Sequence, residues 1–311
     1  MSLQYRRVLD LLVGDPTKGT GLTANQTFRI KFIIEKTIRH TPNHAVIQVF
    51  NLNADSAGKA KDEYTEVIVN AGYADSARLI FAGNIRRVWS YRDDAGVNQI
   101  TEIRAADGDD DYRNTIVNAS FKAGSTDSEI LDHIRSKFST TKIGDLSKIS
   151  GAQRPRGKVI SGLARSELHR IAESIDAHWS IQDGVLQFVA FEGTLPDEAI
   201  VIRADTGMLK TPELSDKGIK AWCQLNPALK CGGKVKLDNN DLREKLRKDR
   251  DRVPGAKPRK DGKLATLDPD GIYRINKLVH RGDTRDTEWI SEITCTALSA
   301  PIPASGGKKK A

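Results

Sequence analysis

Cysteine is scarce in this chain. Three occur in 311 residues, Cys223, Cys231 and Cys295, an odd number with no C-x-x-C spacing. That count argues against a disulfide framework. Cys223 and Cys231 stand eight residues apart with no paired histidine, so they give no zinc pattern, and all three are expected as buried or half-buried thiols. Aromatic residues make up only 6%. No apolar run reaches the roughly 20 residues that a membrane span needs, so no membrane insertion is expected. The opening stretch MSLQYRRVLDLLVGD has one basic pair, a short apolar patch and no cleavage site. It lacks a signal-peptide core, which predicts a cytoplasmic product.

Catalytic patterns are missing too. There is no G-x-S-x-G, no H-E-x-x-H and no P-loop. The six histidines, His40, His44, His133, His169, His178 and His280, are scattered. No catalytic residue, cofactor or resident metal is therefore assigned. The string Asp107-Gly108-Asp109-Asp110-Asp111 is the most metal-like. It departs from the calcium-loop pattern, with Gly at its second position and no Glu at its twelfth. It reads better as a boundary turn followed by a helix start at 110–114. Glu173, Asp176 and Glu192 are carboxylates that a glycosidase would need in a pair, and nothing in the sequence places two of them together.

The net charge is +8, and its location matters more than its size. Residues 241–263 hold ten Lys/Arg against five Asp/Glu, and Lys308-Lys309-Lys310 supply three more positives. Together these segments carry the whole excess, whereas a nucleic-acid-binding domain usually spreads its basic residues over a folded face. The basic loop, with Arg243, Lys245, Arg247, Lys248, Arg250 and Arg252, reads either as a solvated insertion or as an interaction loop. The lysine tail from 299 reads as disordered.

What is present is mostly strand. Residues 272–298 read as two apolar strands, 272–280 and 288–298, around a turn at Arg281-Gly282-Asp283-Thr284-Arg285-Asp286. Such a hairpin needs a sheet to join, and 199–203 and 218–237 are the candidates. It is expected to close a second barrel. In TFRIKFIIEK, Phe28, Ile30, Phe32 and Ile34 alternate with Arg29, Lys31 and Ile33, the period of an antiparallel strand with one face buried. Further strands are predicted at 45–52, 64–70, 78–82, 84–91 and 99–105, with a helix at 53–63 capped by Asn51, Asn53 or Asp55. Turns are expected at Gly72, Gly83-Asn84 and Asp93-Asp94-Ala95-Gly96. From 107 to 195 the pattern changes. A capping box at Thr126-Asp127-Ser128-Glu129 precedes Ile130, Leu131, Ile134 and Phe138 at helical spacing. A second helix is expected at 166–176, and strands at 115–121, 178–182 and 185–191, the last two joined by Asp183-Gly184. Trp89, Trp179, Trp222 and Trp289 all fall in predicted strands, as packing residues. The fold class is α+β, mainly β: residues 1–106 and 196–298 as two tube-like antiparallel barrels, 107–195 as a small α+β domain, and 238–271 as a charged insertion.

Three passages together resemble a known family. One is GMLKTPE from Gly207, followed by Gly218-Ile219 and LNPAL from Leu225; the second is GGKVKL from Gly232; the third runs from Tyr273 through VHRGD to Trp289. With FRIKFIIEKT and AVIQVFNLNADS upstream, the chain resembles the baseplate hub proteins of phage and prophage tails. The hub part of the type VI secretion spike and the late control D-like proteins are more distant relatives. The resemblance covers most of residues 25–298. It makes Gly207, Pro212, Gly218, Asn226, Pro227, Gly232, His280, Gly282 and Trp289 structural motif positions. It implies a non-enzymatic virion protein made in the host cytoplasm. Three chains, each with two barrels, would form a pseudo-sixfold ring between the hexameric tail tube and the trimeric central spike. The implied partners are a second and third copy of the chain, the tail tube protein and the spike, then the tape measure and baseplate wedge proteins, with DNA only in transit through the lumen. The rival readings are a tail-borne cell-wall hydrolase and a basic nucleic-acid-binding protein.

Overall fold

The computed structural model describes residues 6–15, 18–144, 153–215, 218–238 and 270–298. Its first part contains strands β1 (Arg7–Asp15), β2 (Thr20–Asn25), β3 (Ile30–Thr37) and β4 (His44–Phe50), then helix α1 (Ala54–Asp62). Strands β5 (Glu66–Tyr73), β6 (Arg78–Arg92) and β7 (Gln99–Ala106) follow. The middle part holds α2 (Asp109–Asn114), β8 (Ile116–Phe121), α3 (Asp127–Arg135), β9 (Lys142–Ile143), β10 (Lys158–Leu163), α4 (Ala164–Ser174), β11 (Ala177–Gln182) and β12 (Val185–Ala190). The last part has β13 (Ile200–Ile202), β14 (Met208–Ser215), β15 (Gly218–Gln224), β16 (Lys234–Leu237), β17 (Ile272–Asp283) and β18 (Trp289–Ala297).

The two flanking β parts are not separate sheets. Thirteen strands form one sheet in the order β14-β15-β18-β17-β3-β4-β7-β6-β5-β1-β2, with β16 pairing β17 and β13 pairing β16. Among the described residues this sheet ends in three edges, β14, β2 and β13, and does not close on itself. The molecule is thus mainly β with an α+β component. The hairpin β17–β18 does join β15 and β16 as the sequence suggested, but β17 also pairs β3 from Lys277↔Thr37 to Asp283↔Lys31. It lies at the centre of the sheet rather than closing its end.

Alternation explains the layers. In β3, Ile30, Phe32, Ile34 and Lys36 are buried while the residues between them are half-buried. The buried face carries two cores. One gathers Leu9, Leu11, Phe32, Ile34, Ile47, Val69, Phe81 and Trp289; the other gathers Ile219, Val235, Tyr273, Ile275, Leu278, Ile293 and Cys295. The seam falls within the hairpin, because Trp289 belongs to the first and Ile293 to the second. A third core, in the middle part, packs Ile130, Leu131 and Ile134 of α3 against Leu168 and Ile171 of α4 and Trp179 of β11. Helix α1 is short, N-capped by Asn53, whose side chain accepts from the Ser56 N–H at 2.7 Å, and buries only Ala57 and Ala60.

Three sequence expectations are corrected. Gly83-Asn84 is not a turn, since β6 runs unbroken from Arg78 to Arg92. A side chain at Gly83 would place its Cβ 2.6 Å from the Ala106 carbonyl oxygen, so glycine serves close strand approach there. Arg281, Gly282 and Asp283 continue β17, and the chain reverses only after them. The predicted helix at 166–176 starts and ends two residues earlier, as Ala164–Ser174. The basic loop and the lysine tail lie outside the described residues.

Candidate functional site

Among the described residues the most organised region lies along β17, where the first two cores adjoin and polar groups tie the middle part to the sheet. Two sets of polar groups converge there.

The first set is built from motif residues. His280 on β17 is fully buried, and its Nδ1 lies 2.8 Å from the Ser291 hydroxyl on β18. That hydroxyl accepts from the Asn226 N–H at 3.0 Å. The hydroxyl has a second lone pair and a proton of its own, so which of Ser291 and His280 Nδ1 donates follows the imidazole tautomer. Burial and the nearby Lys36 ammonium drive the His280 pKa down to about 3, so the ring is neutral. Leu225, just before Asn226, donates its N–H to the Trp289 carbonyl at 3.0 Å. The Trp289 ring meets Phe32 edge-on, with centroids 5.5 Å apart. Gly282 lies between those rings: a Cβ there would sit 2.5 Å from Phe32 and 2.7 Å from Trp289. Pro227 follows Asn226 in the loop after β15, half-buried.

The remaining motif residues shape the same part of the sheet. Gly207 has φ +100° after a short 3-10 turn, and its carbonyl accepts from the Gln224 N–H at 2.8 Å. Gly218 has φ +128°, and a Cβ there would meet the Cys295 carbonyl oxygen at 2.3 Å. Gly232, with φ +85°, donates its N–H to Ile275 on β17 at 2.8 Å. Pro212 sits on edge strand β14 within a register shift, where a missing N–H costs no ladder bond. Cys223, Cys231 and Cys295 are buried, and desolvation raises all three thiols, the first two to about 12.

The second set clasps the middle part to the sheet, and the sequence reading missed most of it. The turn Asp183-Gly184 has φ +54° and +76°, as a two-residue hairpin turn requires. Asp183 also ion-pairs with Lys36 of β3 at 2.5 Å. Asp107 takes the N–H groups of Asp183 and Gly184 at 2.5 and 2.8 Å. Asn43 donates to the Ile181 carbonyl at 2.9 Å and to the Gln182 side chain at 3.0 Å. Burial and the neighbouring Asp183 carboxylate raise the Asp107 pKa to about 6, against its two N–H donors and Lys36.

The acidic string is this clasp rather than a cation loop. Asp109 pairs with Arg86 of β6 and with Arg113, and Asp111 accepts from the N–H groups of Ser139, Thr140 and Thr141 at 2.7, 2.9 and 2.7 Å. Those donors outweigh burial and hold the Asp111 pKa below the usual range. Helix α2 starts at Asp109, with Gly108 at φ +58° before it and no side-chain cap. Among the described residues, no group of three or more His, Cys, Asp or Glu is placed to hold a metal ion, and no helix is long and apolar enough to cross a membrane. Arg274 fastens the other side: it is fully buried on β17 and donates to the Phe191 and Gly193 carbonyls at 2.5 and 3.0 Å.

A mainly β chain whose chemistry is spent on joining three cores has the character of a structural component. The family model described as baseplate hub gp41 matches residues 12–242, and the chain belongs to that family of phage tail structural proteins. No curated protein matches the sequence. Among solved structures, the 43 kDa tail protein of prophage MuSo2 from Shewanella oneidensis has a TM-score of 0.60 at 9% identity, over 95% of this chain and 98% of its own. A tail protein from Neisseria meningitidis MC58 gives 0.54 at 10% identity, over 94% of this chain and 96% of its own. The E. coli c3393 protein, a type VI secretion component described as similar to the T4 tail proteins gp27 and gp5, gives 0.53 at 11%, over 89% of this chain and 76% of its own. At these identities the likeness is one of fold.

Proposed function

We propose that the chain is the non-enzymatic hub of a tail baseplate, a homotrimer whose pseudo-sixfold ring joins the hexameric tail tube to the trimeric central spike. The observation that carries this is one sheet bearing two separate cores on the same face. Two such β units per chain, residues 1–106 and 196–298, are what a threefold ring needs to present six similar units. The α+β unit, 107–195, has a core of its own, which supports treating it as a third domain. The sheet edges at β2 and β14 are open in one chain, and neighbouring chains would cover them and complete the tube-like barrels. Family membership supports the tail role, and the fold shared with a type VI component described beside gp27 and gp5 supports partnering with a spike.

The test is the mass in solution by light scattering over a concentration series, with and without the spike protein. A species near three times 34.3 kDa, alone or on the spike, is expected. A chain that stays monomeric in both runs would sink the ring.

A further inference from the structure

The sheet face opposite the cores has its own pattern. Register places Arg281, Ile33, Val46, Arg104 and Arg87 in one row across β17, β3, β4, β7 and β6. Ile33 and Val46 are half-buried, and Arg87 and Arg104 are exposed. Trp89, two residues from Arg87, is flanked by both arginines, whose guanidinium carbons lie 5.0 and 4.7 Å from its ring centre. On the same face five carboxylates are matched: Glu102 with Arg104 at 3.0 Å, Glu35 with Lys277 at 2.7 Å, Glu292 with Lys220 at 3.9 Å, Glu213 with Lys210 at 3.7 Å and Asp283, opposite Lys31, with Arg29 at 2.9 Å. Arg87, Arg281 and Lys31 stand outside those pairs, and the Arg281 Nε is buried without an acceptor among the described residues.

We infer that this row is a docking surface for an acidic polypeptide segment in extended form. Arginine and tryptophan around half-buried aliphatic side chains is the composition of a protein interface core, not of a phosphate track. Two guanidinium groups already crowd the Trp89 ring, which makes it a poor platform for a stacked base. Arg281 and Arg87 are four strand steps apart, roughly 19 Å at the usual inter-strand spacing, and an extended chain covers about that distance in six residues. The segment then carries carboxylates at positions i and i+6 for Arg281 and Arg87, an aliphatic side chain at i+2 over Ile33 and Val46, and one at i+4 against the Arg104 stem. The inference stands on this face alone and does not depend on the trimeric ring.

The probe is a fluorescein-labelled peptide with Glu, Ile, Ile and Glu at alternate positions and Thr between them. Its anisotropy is followed with the full chain at low salt. Arg87→Gln is expected to weaken binding about tenfold, the effect of one lost charge-assisted contact of about 1.4 kcal/mol. Lys31→Gln serves as a second variant, and Arg78→Gln, at the start of β6 and outside the row, is expected to leave binding unchanged. Each variant is first checked for the wild-type circular dichroism spectrum. The inference is overturned if the wild type does not bind the peptide. It is equally overturned if Arg78→Gln weakens binding as much as Arg87→Gln. Duplex DNA that binds tighter than the peptide, with the same dependence on Arg87 and Lys31, would reassign the face to nucleic acid.

Discussion

At the scale of single residues, the two buried titrating groups near β17 pull stability in opposite directions. His280 must be neutral in the folded chain, with its pKa lowered to about 3 from an ordinary 6.5. Its contribution is present above pH 6.5 and is lost as pH falls from there toward 3, by up to roughly 1.4 kcal/mol per unit. Asp107 has its pKa raised to about 6 from 3.8, so its contribution is present below about 4 and is lost as pH rises through 6. Between pH 4 and 6 the two compete. Urea midpoints across that window should therefore be nearly flat in the wild type, rise toward acid in His280→Gln and fall toward acid in Asp107→Asn. Parallel pH profiles for all three proteins would mean that neither group is held as described. Gly282 gives a simpler expectation. Gly282→Ala forces a methyl against two buried rings that have no room to yield, and a loss of roughly 1–3 kcal/mol in chemical denaturation is expected. Why these positions are what they are was only half legible. Gly282 looks like a turn residue in sequence because Asp283 follows it. Its actual reason is the space taken by Phe32, some 250 positions earlier, which no local pattern carries.

Elements show what periodicity can and cannot give. β15 and β16 run as the sequence suggested, because short apolar-alternating runs bounded by Gly, Asn and Pro leave little freedom. The Asp183-Gly184 hairpin was equally plain, yet its role in holding the middle part to β3 was not. One signal was available: Lys36 falls on the buried parity of β3, after Ile30, Phe32 and Ile34, so its ammonium needed a partner in the interior. The partner, Asp183, is far away in sequence. Breaking this clasp from one side should be costly. Lys36→Met leaves Asp183 beside Asp107 without compensation, and a loss of about 3 kcal/mol is expected. The double variant Lys36→Met with Asp183→Asn removes both charges and should recover part of it, since asparagine also tolerates the positive φ at 183. Additive losses in this cycle would show that the pair does not interact. Asp111 is the matching clasp on α2. Asp111→Ala strips the acceptor from three N–H groups, so amide exchange at Ser139, Thr140 and Thr141 should accelerate before exchange in the sheet does.

The whole molecule is organised by the fact that β17 is shared. It pairs β18 along nearly its full length, β16 at its start and β3 over its second half. The first β part cannot open beyond β3 without exposing one edge of β17, and the second cannot open without losing β18 from the other edge. Phe32 and Trp289 tie the same strands through side chains, so the first core contains a residue supplied by the last strand. Two β parts that would be independent if each closed on itself are therefore expected to unfold together. Scanning calorimetry of the isolated chain should show the sheet melting in a single transition, with calorimetric and van't Hoff enthalpies in agreement for that transition. The middle part, whose core is its own and whose ties to the sheet are polar, is the place where a separate, earlier transition would arise. If instead the two β parts melted apart, with exchange in β5 and β6 decoupled from exchange in β15 and β18, the shared strand would not be a mechanical link. The two units would then be free to tilt against each other within one chain. For a baseplate component, the difference is functional: a shared strand transmits load across the chain, and a loose joint absorbs it.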